Sequence, residues 1–234
     1  LALDGPFADA VPGGEDNLVL RAARALGNGA GAALRLTKNL PPASGIGGGS
    51  SDAAAALRVL TRLWELDPAI AEAVAPTLGA DVPACLRALP CRMRGVGDVL
   101  DPVPKLPDCG IVLANPGIPL ETGRVFAARR GAFSKPFPPR GWADAAALAA
   151  DIEAAGNDLQ AAAIGLCPVI EDGLLRLKAL PGALCAAMSG SGASCFALFD
   201  SAAAAREMAA RLPDAWWRWG GGLIPGGRRL DSRA

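Results

Sequence analysis

Four glycines in five positions, Gly45, Gly47, Gly48 and Gly49, stand directly ahead of Ser50-Ser51-Asp52 and an apolar stretch at helical spacing. The full segment reads Lys38-Asn39-Leu40-Pro41-Pro42-Ala43-Ser44-Gly45-Ile46-Gly47-Gly48-Gly49-Ser50-Ser51-Asp52. Glycine lets the backbone come close to a ligand. The first amides of a helix lack partners and point outward, and the helix dipole adds partial positive charge there. A glycine-rich turn feeding a helix start is therefore a phosphate site in the making. It is not a Walker A loop, because Ser50 follows Gly49 where a lysine is required. It is not a dinucleotide fingerprint either, since Ser50 stands where the last glycine belongs. A flexible Gly/Ser linker would not run at once into a strongly amphipathic helix.

Proton transfer has few candidates. The 234 residues include no histidine, which removes Ser-His-Asp chemistry and any imidazole base. Carboxylates, lysines and the six cysteines remain. Cys85, Cys91, Cys109, Cys167, Cys185 and Cys195 form no Cys-x-x-Cys pair, so no zinc spacing is present. They read as reduced thiols of a cytoplasmic protein. Taken alone, Asp81 ahead of Val82-Pro83 reads as a helix cap, Phe126 as a core aromatic, Ser189 to Gly192 as a hairpin turn and Lys38 as a solvated strand lysine.

The elements that must position these residues follow from period and punctuation. Asp16-Asn17 caps a predicted helix through Leu26, ending at Gly27. Leu34 to Leu40 reads as a strand, and 41–49 as a loop. Ser50-Ser51-Asp52 supply cap residues for a helix whose apolar face is Ala53, Ala56, Leu57, Leu60, Leu63 and Trp64. Further helices are expected at Pro68 to Leu78, after Asp81, around Val125 and Phe126, and over Trp142 to Ala155, Asp158 to Ile164, Val169 to Lys178 and Ala202 to Leu212. Arg92 to Leu100 reads as one strand broken by Gly95 and Gly97. Ile111 to Ala114, Leu184 to Met188 and Ser194 to Phe199 read as strands, Ser134 to Pro139 as a Pro-rich loop, and Trp216, Trp217 and Trp219 as packing or tail. Pro102, Pro104 and Pro107 mark a domain boundary, giving domains 1–105 and 106–234. Strands and helices interleave without a regular βα rhythm, so the fold class is α+β.

Charge excludes some partners. The 23 basic and 23 acidic residues cancel, and no Lys/Arg block exceeds a pair, leaving no footprint for nucleic acid or an anionic membrane. No apolar run reaches the roughly 18 residues of a membrane span. The chain starts at Leu1, and Leu1 to Leu3 followed by Asp4-Gly5-Pro6 reads as a strand end and turn, so residues are expected ahead of it.

Pro41 to Ser51 resembles the phosphate-binding motif of the GHMP kinases, and Lys38 to Pro42 with Ser50 to Ala54 narrows the likeness to the diphosphocytidyl-methylerythritol kinases among them. Leu78-Gly79-Ala80-Asp81-Val82-Pro83 resembles that family's catalytic segment, and Met188-Ser189-Gly190-Ser191-Gly192-Ala193 its third, Gly-rich motif. The resemblance implies a ribosomal protein S5 domain 2-like N-terminal ATP-binding domain, incomplete here, and a ferredoxin-like C-terminal domain. It implies an ATP- and Mg2+-dependent small-molecule kinase of isoprenoid precursor synthesis, working as a monomer or homodimer on an acceptor carrying a cytidine diphosphate group. Pro41 to Ser51 would bind the ATP phosphates, Asp81 would be the base, Lys38 would lie near the nucleotide, and Asn17-Leu18 would flank the adenine. Phe126 would stack on the cytosine, with Thr122 beside it, and Gly190, Ser191, Gly192 and Ala193 would line the cleft near the transferring phosphate. Mg2+ would touch Ser51, with its other ligands unassigned. The family's first motif, with a lysine beside the catalytic aspartate and an aromatic–His pair, would lie ahead of Leu1. Two other readings stand beside this one: a GHMP kinase of homoserine or mevalonate type, and a truncated nucleotide-binding remnant without activity.

Overall fold

A computed structural model describes residues 1–27, 29–138 and 140–223. Pro139, the end of the predicted Pro-rich loop, and residues 224–234, the end of the predicted C-terminal domain, lie outside the described residues. The chain divides into two compact units, one of residues 1–42 and 47–103, the other of residues 43–46 and 104–234.

The first unit is mainly helical. Strand β1 (Ala2–Asp4) pairs in parallel with β2 (Arg35–Thr37), and α1 (Leu18–Ala25) makes the crossover that parallel pairing requires. Helices α2 (Gly48–Leu63), α3 (Pro68–Leu78) and α4 (Val82–Arg87) follow, then β3 (Cys91–Arg94) and β4 (Val99–Pro102). The predicted single strand over Arg92 to Leu100 is thus an antiparallel hairpin, with Arg94 opposite Val99 and the two glycines in its turn. Helix α3 has the bounds its sequence predicts, since Asp67 caps its start and Pro68 opens it. Leu57 and Leu60 of α2 are fully buried among Val19, Ala22, Ala75, Leu78 and Val82, which close the core of this unit. Burying each leucine stabilises by about 1.5–3 kcal/mol. Leu63, expected on this face, is 61% exposed.

The second unit is a four-stranded antiparallel sheet. Strand β5 (Gly110–Asn115) is followed by α5 (Thr122–Ala128), α6 (Ala145–Ala155), α7 (Gln160–Leu166) and α8 (Val169–Lys178). Then come β6 (Cys185–Met188), β7 (Cys195–Phe199), α9 (Ala202–Ala209) and β8 (Trp217–Gly222). The strand order β6-β7-β5-β8 with this β-α-β-β-α-β succession is the ferredoxin-like arrangement. All pairings in it are antiparallel, which keeps the chain in the α+β class. Period-two alternation sends Cys195, Ala197 and Phe199 of β7 into one core with Ile170 and Leu177 of α8 and Met208 of α9. Leu198 and Phe196 join the other face, under Leu148 and Ala149 of α6. Of the tryptophans read as packing or tail, Trp216 packs on the core, and Trp217 and Trp219 lie in a sheet strand, opposite Asn115 and Leu113. Helix α9 lies directly on the glycines of β5 and β8: a methyl group on Gly110 would collide with the Ser201 carbonyl oxygen, and one on Gly220 with that of Ala205. Among the described residues, no helix is long and apolar enough to cross a membrane.

Candidate functional site

The stems of the glycine-rich segment are fixed first. Beyond β2, the Lys38 amide donates to the Asp4 carbonyl at 2.7 Å and its carbonyl accepts from the Phe7 amide at 3.1 Å. The Lys38 side chain is buried rather than solvated, and its Nζ lies 2.5 Å from Asp52 Oδ2 on α2. A buried ammonium needs such a partner. Helix α2 starts at Gly48, ahead of the expected caps. Gly47 takes the cap position at φ 67°, a left-handed conformation that glycine reaches without strain. The Ser51 amide donates to Gly47 O at 2.9 Å, the first bond of the ladder, so the amides of Gly48, Gly49 and Ser50 stand in front of it. Ser50, Ser51 and Asp52 therefore lie within the opening turns of α2, and none caps it.

Leu18 reaches the same helix start, since a methyl on Gly49 would sit 3.3 Å from its Cδ1. Asn17 caps α1: its Oδ1 accepts from the Val19 amide at 2.9 Å and its Nδ2 donates to Pro12 O at 2.7 Å. Both ends of that side chain are therefore engaged in structure.

Asp81 occupies the residue ahead of α4 but makes no side-chain cap bond, which corrects the capping role its position suggests. Among the described residues its exposed carboxylate has no hydrogen bond or ion pair. It faces Gly47, with Oδ2 4.0 Å from where a methyl on that glycine would sit. Three features hold it there. Val82 next to it is fully buried. The β3–β4 turn presses on Ala80, whose carbonyl oxygen would lie 2.9 Å from a methyl on Gly97. Cys85 Sγ of α4 meets Ser51 Oγ of α2 at 3.5 Å. Burial pushes the Cys195 thiol up to about 12 and also raises those of Cys109, Cys167 and Cys185, so these four are protonated thiols, unsuited to nucleophilic work.

In the second unit, residues 43–46 are tied to the β6–β7 connection. The Ser194 amide donates to Ser44 O at 3.2 Å, and Ser189 Oγ donates to Gly45 O at 2.9 Å. Gly45, at φ 74°, has no room for a side chain: a methyl would collide with Gly192 O and lie 2.9 Å from Ser189 O. The hairpin turn expected over Ser189 to Gly192 is thus also a mount for residues 43–46. Ser191 Oγ shares a 2.8 Å hydrogen bond with Thr122 Oγ1. Phe126, one turn on from Thr122 along α5, is 52% exposed and is no core aromatic.

Sequence reasoning missed four supporting side chains. Asp52 pairs Lys38. Arg58 Nη1 donates to the carbonyls of Cys85 at 2.8 Å and Leu86 at 3.3 Å. Asn157 Nδ2 donates to Met188 O at 3.1 Å and Gly190 O at 2.8 Å. Asn115 Nδ2 donates to Ser194 Oγ at 2.8 Å. Asn157 follows Gly156 between two helices, a local turn signal, but its long-range partners leave no trace in the chain. Among the described residues, no three acidic, His or Cys side chains cluster as a metal cage.

Residues 17–88 match the GHMP kinases N terminal domain, and residues 141–217 match the GHMP kinases C terminal domain. A 4-diphosphocytidyl-2-C-methyl-D-erythritol kinase of Granulibacter bethesdensis is 49% identical over 99% of this chain and 80% of its own length. A crystal structure of a 4-(cytidine 5'-diphospho)-2C-methyl-D-erythritol kinase superposes with a TM-score of 0.76 at 34% identity, over 97% of this chain and 83% of that one. A homoserine kinase from Cytophaga hutchinsonii superposes at 0.64 with 19% identity, over 97% of this chain and 82% of its own, a likeness of fold alone.

Proposed function

The chain belongs to the GHMP kinases, in the branch of the 4-diphosphocytidyl-2-C-methyl-D-erythritol kinases, and from that premise we propose that it moves the γ-phosphoryl group of ATP to the 2-hydroxyl of 4-diphosphocytidyl-2-C-methyl-D-erythritol, a step of isoprenoid precursor synthesis. The observation that carries the reading is Asp81, a carboxylate without a partner among the described residues and turned toward Gly47 at the start of α2.

Phosphoryl transfer is largely a matter of positioning and charge stabilisation. The amides of Gly48, Gly49 and Ser50 and the helix dipole stabilise phosphate oxygens. Lys38 lies beside them, its Nζ 3.5 Å from where a methyl on Gly48 would sit. Leu18, with Asn17 behind it, flanks the adenine. The acceptor oxygen forms its bond to the γ-phosphorus as the bond to the ADP oxygen breaks, and the hydroxyl proton passes to the Asp81 carboxylate. Phe126 offers an open ring face for the cytosine, next to Thr122 and the Gly190-Ser191-Gly192 turn.

Mg2+ suits this donor set only as an ion carried on the nucleotide phosphates, since such sites use few protein ligands and keep several waters. Ser51 would offer it a hydroxyl in the opening turn of α2. When bound, the ion neutralises phosphate charge. The reading places the protein in the cytoplasm, in keeping with six free cysteines.

An acceptor panel tests the assignment. The intact protein is given ATP with the cytidine diphosphate-linked methylerythritol, homoserine and mevalonate, alongside an Asp81→Asn variant. Turnover with the first acceptor alone is expected. Asp81→Asn should lose about 100-fold or more of it while keeping its affinity for ATP. Preferred phosphorylation of homoserine or mevalonate would overturn the acceptor, and full activity in the variant would overturn the base.

A further inference from the structure

Helix α4 is only six residues long, too short to hold its shape by itself, yet it presents Asp81 at its leading end. Its trailing carbonyls are the weak point, because the last C=O groups of a helix have no partners of their own. The Ala88 amide takes Ala84 O at 3.1 Å. The next two, Cys85 O and Leu86 O, are both taken by the Arg58 guanidinium, reaching across from α2. Among the described residues no carboxylate pairs with Arg58. A charged donor is thus kept for two neutral carbonyls at a helix C-terminus, where the dipole favours a cation.

Arg58 sits on the same helix as the glycine-rich start. Besides the core that buries Val82 with Leu57 and Leu60, α2 meets α4 through two polar contacts: Ser51 against Cys85 Sγ in its opening turn, and Arg58 against the α4 carbonyls two turns later. Seven residues of helix separate them, roughly 10 Å. Two contacts that far apart fix both the place and the tilt of the short helix.

We propose that Arg58 is a positioning residue for phosphoryl transfer: it locks α4 to α2 so that the Asp81 carboxylate stays aimed at Gly47. The proposal rests on Asp81 acting as the base. Removing the guanidinium leaves the trailing end of α4 held to α2 by apolar packing alone, and a change of tilt there shifts the Asp81 carboxylate ahead of the helix. A misplacement of about 1 Å can cost about a hundredfold in rate. The amides of Gly48, Gly49 and Ser50 lie on α2 itself and keep their places, so nucleotide binding is spared.

The test is a set of variants in the intact enzyme, read by steady-state kinetics and by amide hydrogen exchange over 81–88. Arg58→Met should lower kcat by about 10- to 100-fold with KM for ATP within about twofold of wild type. Exchange should rise over 81–88 and stay unchanged at the start of α2. Arg58→Lys, able to reach a single carbonyl, should fall between the two. Arg62→Met, one turn on and without a partner among the described residues, should match wild type. A kcat that is unchanged per ATP-binding site would overturn the proposal, as would a rise in KM for ATP with kcat kept. If Arg58→Met fails to fold, Arg58→Lys decides: wild-type kcat and exchange in it overturn the proposal as well. A wild-type enzyme with no turnover on the cytidyl acceptor would sink the proposed function instead, and the exchange data would still report whether Arg58 holds α4.

Discussion

Lys38 and Asp52 carry opposite charges at unequal depth, with side chains 4% and 23% exposed. Taking one partner from a buried pair leaves the other charge unpaired, at a cost of about 3–5 kcal/mol. Asp52→Ala strands the deeper ammonium, while Lys38→Met leaves a carboxylate that water already reaches. Asp52→Ala is therefore expected to lose more stability in denaturant unfolding than Lys38→Met, and equal losses would contradict this account. The segment holding both residues reads as a phosphate loop from local glycine and cap chemistry. Their pairing does not, because a lysine at a strand end gives no sign of the carboxylate that folds over it. The same holds for Asp81. Its position ahead of Val82-Pro83 suggests a cap, yet the side chain makes no cap bond and faces Gly47 instead.

At the level of elements, the glycine-rich turn splits into two mechanically different halves. Gly45 and Gly47 both have positive φ, which costs an alanine about 1–2 kcal/mol. A methyl on Gly47 meets only Asp81 Oδ2, at 4.0 Å, whereas one on Gly45 runs into the carbonyls of Gly192 and Ser189. Gly47→Ala should thus lose little beyond that penalty. Gly45→Ala should lose clearly more and also raise KM for ATP, because residues 43–46 can no longer seat on the β6–β7 connection. Thermal unfolding with ATP kinetics on both variants checks this. Helix α3 is legible from its Asp67 cap and Pro68, and α8 from Pro168 ahead of it, acidic residues in its first turn and basic ones in its last. Strand β8 is not, since Gly220, Gly221 and Gly222 have poor strand propensity and its partner β5 lies about a hundred residues earlier. The β3–β4 hairpin is hidden for a related reason: glycines that make a turn look like glycines that break a strand.

For the whole molecule, each unit has its own closed set of apolar side chains, Leu57 and Leu60 at the heart of one and Phe199 and Ile170 of the other. Leu57→Ala should cost about 2–5 kcal/mol. In scanning calorimetry it is expected to lower one of two transitions and leave the second in place, and a common shift of both would show a single cooperative unit. The α+β class is legible from irregular alternation of elements, but the sheet order needs pairings between distant strands. The seam between α9 and its sheet sets a limit of another kind. There, backbone rests on backbone at Gly110 and Gly220, and no rotamer can turn aside to relieve a larger residue. A surface-loop insertion can be absorbed by slack in the chain, but a single added carbon at this joint must prise a helix off its support, so tolerance to mutation here is set by clearance rather than by chemistry.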